Sequence, residues 1–377
     1  MMFASGCGAG AGCVIGAQVF WSRCRERAFW SVSDRNTGAQ RRSYCPIDLD
    51  MSIDAPVGDY ETELLSKATS TIERGFFTLK SGMNIFYQLT VPQGEPTAAV
   101  VLVHGYSDHC DYILGSRAKI LASLGFAVAS FDLPGHGRSD GEYIVIDKWV
   151  DFVEVARQIV ADHIQPFLTA RFGKLRCFGI GESLGGGLAF ALQQLSAEKG
   201  LPKPFDGIVL VAPMLGISKN IYPPWIVVQI FKRILVPILP RWPVAPNKDI
   251  GDRCWENPAV HERVLTAASN TYLVHHGQPR LGTAYQMAFV AGEWMEERVK
   301  LFDTPLLLFH GAKDEVTDPD VSRRFFDDVA SQDKDIRMPP NAWHADCLGG
   351  GIQGDDKRGE ERRESWVLLT RWMRERA

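Results

Sequence analysis

The chain has 377 residues, enough for a sizeable core and for one large α/β domain or two smaller ones. Its 45% apolar and 23% charged residues are ordinary globular usage, which excludes a disordered or fibrous chain. With 41 Lys and Arg against 45 Asp and Glu the net charge is -4, so the basic field that a nucleic-acid binder relies on is missing.

In chain order, residues 1–22 carry no charge but are dominated by Gly and Ala, a poor composition for a bilayer span. Arg23, Arg25, Arg27, Arg35, Arg41 and Arg42 then outnumber Glu26 and Asp34, the make-up of an organelle transit segment. Residues 1–60 are read as an N-terminal extension, targeting or disordered, and 61–377 as the folded domain. The eight cysteines form no C-x-x-C pair, which points to free thiols in a reducing compartment, cytoplasmic or organellar.

Residues 61–74 look helical, and 75–80 and 83–91, split by Ser81-Gly82, read as a β-hairpin. Five apolar runs follow, at 98–103, 127–131, 175–180, 207–211 and 306–309, each bounded by Gly or Pro. Their length and continuity suit parallel strands buried on both faces. Amphipathic helix-length segments at 149–169 and 184–195 lie between them, so the expected architecture is α/β, a mostly parallel, doubly wound sheet.

The stretch from 216 to 292 is far longer than one crossover needs and reads as an insertion. In 221–240 the charges are Lys232 and Arg233, and four prolines limit any helix to about three turns, too short to span a membrane. Two readings compete: a buried core helix, or an apolar lid that covers a greasy substrate or touches a lipid surface. On the second, Trp225, Ile226, Ile230 and Phe231 are the substrate-binding candidates.

Chemistry concentrates at Gly181-Glu182-Ser183-Leu184-Gly185, directly after one apolar run and before a helix-forming one. A nucleophile on a tight strand-to-helix turn needs small neighbours, and the helix that follows aims free N–H groups at the reacting centre. A serine needs a base and the base an orienting acid, in the chain order Ser, acid, His for this architecture. Asp314 stands in the loop after the run 306–309, and His344 is the histidine downstream of it. Glu315 and Asp318 are alternative acids. The oxyanion hole is assigned to the backbone N–H groups of Leu184 and of Tyr106, in the loop after 98–103. His104 and His136 precede Ser183 and are read as structural. Cys110, close to Tyr106 in sequence, is a candidate reactive thiol.

Together these residues resemble the α/β-hydrolase superfamily, within it the monoacylglycerol lipase and lysophospholipase group also catalogued with serine aminopeptidases of the S33 type. The resemblance runs from about residue 75 to the C-terminus and is nearest the plant-type members, which include the caffeoylshikimate esterases. It rests on His104-Gly105-Tyr106, 132–137, 181–185, the PNKDI segment at 246–250, Pro279-Arg280-Leu281 and 310–319. It implies an α/β-hydrolase fold with an inserted helical lid at about 216–292, a Ser183, Asp314 and His344 triad, and an acyl ester of a small alcohol as substrate. The glycines and charged residues after His344, at 349–364, depart from the group's pattern.

The expected function is a serine carboxylic-ester hydrolase that cleaves monoacylglycerol, or a lysophospholipid, through an acyl-enzyme, with no metal and no organic cofactor. The expected partners are a small lipid or ester and, through the lid, transiently a membrane surface, but not nucleic acid. Rival readings are an esterase of phenolic esters such as caffeoylshikimate, an acyltransferase, an aminopeptidase, and a non-catalytic binding module. A peptidase should hold its substrate's amine with acids near the pocket, and 225–236 offers none.

Overall fold

In the computed structural model, which describes residues 57–216, 224–242, 253–269, 279–354 and 358–377, the chain enters through helix α1 (Asp59–Ser66). An antiparallel hairpin follows, β1 (Ser70–Thr78) and β2 (Asn84–Pro92), with Gly82 at φ +83 in its turn. The helix expected over 61–74 therefore stops at Ser66. The β-branched and aromatic residues of 70–78 pair with β2 over the whole strand instead.

Strand and helix then alternate through β3 (Ala98–Val103), α2 (Ile113–Ser123) and β4 (Phe126–Phe131). Next comes α3 (Trp149–Gln158), which passes through a π-helical turn (Ile159–Ile164) into α4 (Gln165–Phe172). β5 (Cys177–Glu182), α5 (Leu184–Glu198) and β6 (Gly207–Val211) follow. The excursion after β6 carries α6 (Trp225–Ile230), α7 (Val236–Ile238), α8 (Pro258–Ser269), α9 (Leu281–Tyr285) and α10 (Ala291–Glu296). The chain returns with β7 (Leu306–Phe309), α11 (Pro319–Asp328), β8 (Lys334–Arg337) and α12 (Gly359–Arg374).

The described strands form one sheet in the order β1-β2-β4-β3-β5-β6-β7-β8. β2 runs antiparallel to β1 and β4, and every neighbouring pair from β4 to β8 is parallel. Period-two alternation sorts the side chains of the central strand between two layers. Ala99, Val101 and Val103 of β3 join the core under α3, α5 and α11, with Trp149, Leu188 and Phe325. Val100 and Leu102 join the core under α2 and α12, with Ile120, Trp366 and Trp372. Both faces are covered, which is why the strand reads as a continuous apolar run.

Among the described residues, α1 starts at Asp59. Thr62 Oγ1 donates to the Gly58 carbonyl at 2.7 Å, and the nearly inaccessible Glu61 accepts from Arg362 Nε and Trp366 Nε1, both at 3.2 Å. The first described helix is thus tied to the last.

The two ends of the excursion meet: a Cβ placed on Gly292 would stand 3.1 Å from the Cα of Gly216. The core-helix reading of 221–240 does not hold, because Val228 is buried while Trp225, Ile226, Val227, Ile230, Ile234 and Ile238 are exposed. Among the described residues no helix is long and apolar enough to cross a membrane. Residues 1–56 and the PNKDI segment at 246–250 lie outside the described residues.

Candidate active site

Ser183 occupies the single-residue turn between β5 and α5 at φ 53 and ψ −118, a backbone conformation a side-chain-bearing residue adopts only under constraint. The constraint is visible in its hydrogen bonds. Its N–H donates to the Val211 carbonyl at 3.0 Å, and its own carbonyl accepts from Gly186 and Met214 at 3.0 and 2.9 Å. The flanking glycines are sterically required: a Cβ on Gly181 would lie 2.1 Å from the Gly185 oxygen, and one on Gly185 2.0 Å from the Val103 oxygen. Ser183 itself is half-buried and lies at the N-terminus of the 15-residue α5, where the first N–H groups have no intrahelical acceptor.

The loop after β3 packs on this turn. A Cβ on Gly105 would be 3.5 Å from the Ser183 Cβ, which sets the segment carrying Tyr106 beside the serine. The loop is held from below by His104, whose Nε2 accepts the Leu133 N–H at 2.9 Å. Asp132 also holds it, taking the Cys110 N–H at 2.8 Å on one oxygen and the Arg138 N–H at 2.6 Å on the other. Burial lowers the His104 pKa to about 4. Cys110 is not a reactive thiol: it is fully buried, and burial beside Asp132 and Asp111 pushes its pKa well above the usual range.

Asp314 and His344 come from the loops after β7 and β8, thirty residues apart in sequence, and meet at 2.7 Å between Oδ2 and Nδ1. Of the three acids weighed from sequence, Glu315 is exposed, and Asp318 caps α11 by accepting the Asp320 N–H at 2.8 Å. The other oxygen of Asp314 accepts from the backbone of Val316 and Thr317 at 2.7 and 3.0 Å. Burial alone would raise the Asp314 pKa, but His344 and His310 outweigh it and hold the carboxyl well below its usual range. For His344 burial works downward, and the charge and hydrogen bond of Asp314, with Glu182 and Asp346 behind them, leave its pKa raised.

Three features escaped the sequence reading. Glu182, next to Ser183, is clamped by the Arg117 guanidinium at 2.5 and 3.2 Å in a nearly buried ion pair. His310 and Thr317 both approach the Asp314 oxygen that faces His344, at 3.1 and 2.8 Å. Asp346, two residues past His344, accepts the Trp343 N–H, and burial lifts its pKa to about 6. Of the lid candidates, Trp225, Ile226 and Ile230 are exposed, while Phe231 faces Tyr285 and Phe289 with ring centroids 6.3 Å apart in each pair.

Comparison with known proteins gives a consistent set. The profile of the family described as serine aminopeptidase, S33 matches residues 94–347. The chain is similar to a monoacylglycerol lipase of Mycolicibacterium smegmatis, 29% identical over 276 residues, 73% of this chain and 91% of that one. It is similar to a caffeoylshikimate esterase of Arabidopsis thaliana, 26% identical over 273 residues, 72% of this chain and 78% of that one. Among solved structures, the monoacylglycerol lipase of Paleococcus ferrophilus superposes with a TM-score of 0.57 at 26% identity, over 80% of this chain and 99% of that one.

Proposed function

The chain belongs to the serine aminopeptidase S33 family and is a serine ester hydrolase, and from that footing we propose that it cleaves monoacylglycerols, or lysophospholipids of similar shape, to a fatty acid and an alcohol. In this reading Ser183 attacks the ester carbonyl while His344 takes its proton. Asp314 keeps the His344 ring oriented and its protonated form stabilised. The N–H groups of Tyr106 and Leu184 take the oxyanion of the tetrahedral intermediate. Collapse releases the alcohol, with His344 returning the proton to it, and water then frees the fatty acid from Ser183 by the same steps in reverse order. The reaction so written needs neither metal nor organic cofactor.

The observation that carries the catalytic reading is the 2.7 Å Asp314–His344 contact, made by loops at the same end of the sheet as the strained Ser183 turn. The lipid reading draws support from the excursion. Trp225 at 71% exposure and Ile238 at 69% stand on an apolar helical surface that includes Ile226, Ile230 and Ile234, which suits a lid resting transiently on a lipid surface. We read residues 61–377 as the hydrolase domain, with 216–292 as that lid.

The test is oleate release from monooleoylglycerol by the protein beginning at Val57, with Ser183→Ala as the blank. Release that vanishes in the variant is the expected result. Cleavage of a short aryl ester without any oleate release would leave a serine esterase and move the substrate to a phenolic ester, as in the name of the Arabidopsis relative.

A further inference from the structure

Resting on that reading of the triad, we propose that His310 is a positioning residue for Asp314: it donates a hydrogen bond to the carboxylate oxygen that orients His344, and Ser322 fixes its tautomer. His310 ends β7 and is completely buried. Its Nε2 lies 3.3 Å from the Thr317 hydroxyl, and closer to two other oxygens, 3.1 Å from Asp314 Oδ2 and 3.2 Å from the Thr317 carbonyl. The carboxylate and the carbonyl can only accept, so this nitrogen carries the hydrogen and shares it between them. Its Nδ1 lies 2.7 Å from Ser322 Oγ on α11, leaving that nitrogen to accept the serine hydroxyl. Ser322 is also fully buried, so water does not compete for the contact.

Asp314 Oδ2 thereby meets His344 Nδ1 at 2.7 Å and Thr317 Oγ1 at 2.8 Å in hydrogen bonds, with His310 Nε2 within ion-pair distance at 3.1 Å. Two consequences follow from the geometry. The carboxylate cannot rotate away from His344 without breaking contacts on both sides. The negative charge of Oδ2 is also shared, which tempers how strongly Asp314 favours protonated His344. Loss of the His310 donor should therefore loosen the acid and, at the same time, raise the pKa of His344. The remaining charges that act on His344, Glu182 and Asp346, are untouched by the changes below.

The experiment uses a short aryl ester, so that it does not depend on the lipid assignment, and compares His310→Leu, His310→Gln and Ser322→Ala with the parent and with Asp314→Asn. For His310→Leu the expected result is a kcat lower by roughly 10- to 100-fold, the usual weight of a hydrogen bond to a charged group, at similar KM. The acidic limb of its kcat/KM profile should move to higher pH. His310→Gln, whose amide nitrogen can stand where Nε2 stood, should return most of the rate and the original limb. Ser322→Ala should move the limb the same way by less.

A His310→Leu enzyme that is folded, equally active and unshifted in its pH limb would overturn the inference. So would a Gln variant no better than Leu with the limb unmoved in both, since that is the pattern of a packing role. If His310→Leu yields no folded protein, Ser322→Ala decides: a raised limb supports the inference and an unmoved one sinks it. An Asp314→Asn variant as active as the parent would remove the triad itself, whereas an inactive one beside an unaffected His310 series removes the inference alone.

Discussion

At the scale of the residue, the serine turn has almost no freedom. Gly181→Ala would drive a methyl group to within 2.1 Å of a backbone oxygen, so the chain must shift at the nucleophile. We expect loss of labelling by a fluorophosphonate probe even where soluble protein remains, and full labelling would contradict the turn described above. Ser183→Ala is expected to lower turnover on the order of 10⁶-fold, as in other serine hydrolases.

The raised pKa of His344 makes a second claim. As a base it works unprotonated, so kcat/KM should fall as pH drops, with a limb above the ordinary histidine value of 6.5. The stability side has the opposite sense for each partner. The histidine, raised on folding, contributes fully below 6.5 and loses that contribution as pH rises; the acid, lowered on folding, contributes above 3.8 and loses it as pH falls. The charge-dependent part of the Asp314→Asn destabilisation should thus peak between these values, which thermal unfolding across pH would show. Chain order pointed to Asp314 and His344 together, and the two side chains meet at 2.7 Å. The His310 and Thr317 contacts were not legible in the sequence, since a short motif names residues without saying which atoms meet.

At the scale of the element, the central strands were legible from their apolar runs because both faces are covered by helices. Edge strand β8, Lys-Asp-Ile-Arg, has no such run and left no signal to find it by. The helix in the excursion was legible in length but not in role: nothing in the pattern of 225–238 separates an apolar face turned inward from one turned outward. Its exposure leads to a prediction at positions outside the proposed pocket. Ile238→Asp should weaken partition onto phosphatidylcholine vesicles by roughly 10-fold or more, the scale of one buried aliphatic side chain, while hydrolysis of a soluble aryl ester is retained. A sedimentation assay with and without vesicles reads it directly, and unchanged partition would take this surface out of the lipid reading.

At the scale of the whole molecule, the described chain closes on itself, its first helix anchored on its last through Glu61, Arg362 and Trp366. Contacts three hundred residues apart leave no trace in local pattern, which is why this anchor was not legible in the sequence. Arg362→Met strands Glu61 as a buried charge and should destabilise by about 3–5 kcal/mol, read as a shift of the urea midpoint. Starting the protein at Ser70 instead of Val57 should produce a loss of similar kind.

The close approach of Gly216 and Gly292 bears on how such a protein can diversify. The chain departs after Gly216 and is back beside it at Gly292, inside α10, so a long insert or a short one closes over nearly the same gap, and loop-closure entropy changes only slowly with length. The excursion is in that sense an exchangeable cassette. A chimaera cut at these two glycines, with a relative's excursion on this sheet, would show whether substrate preference travels with the segment.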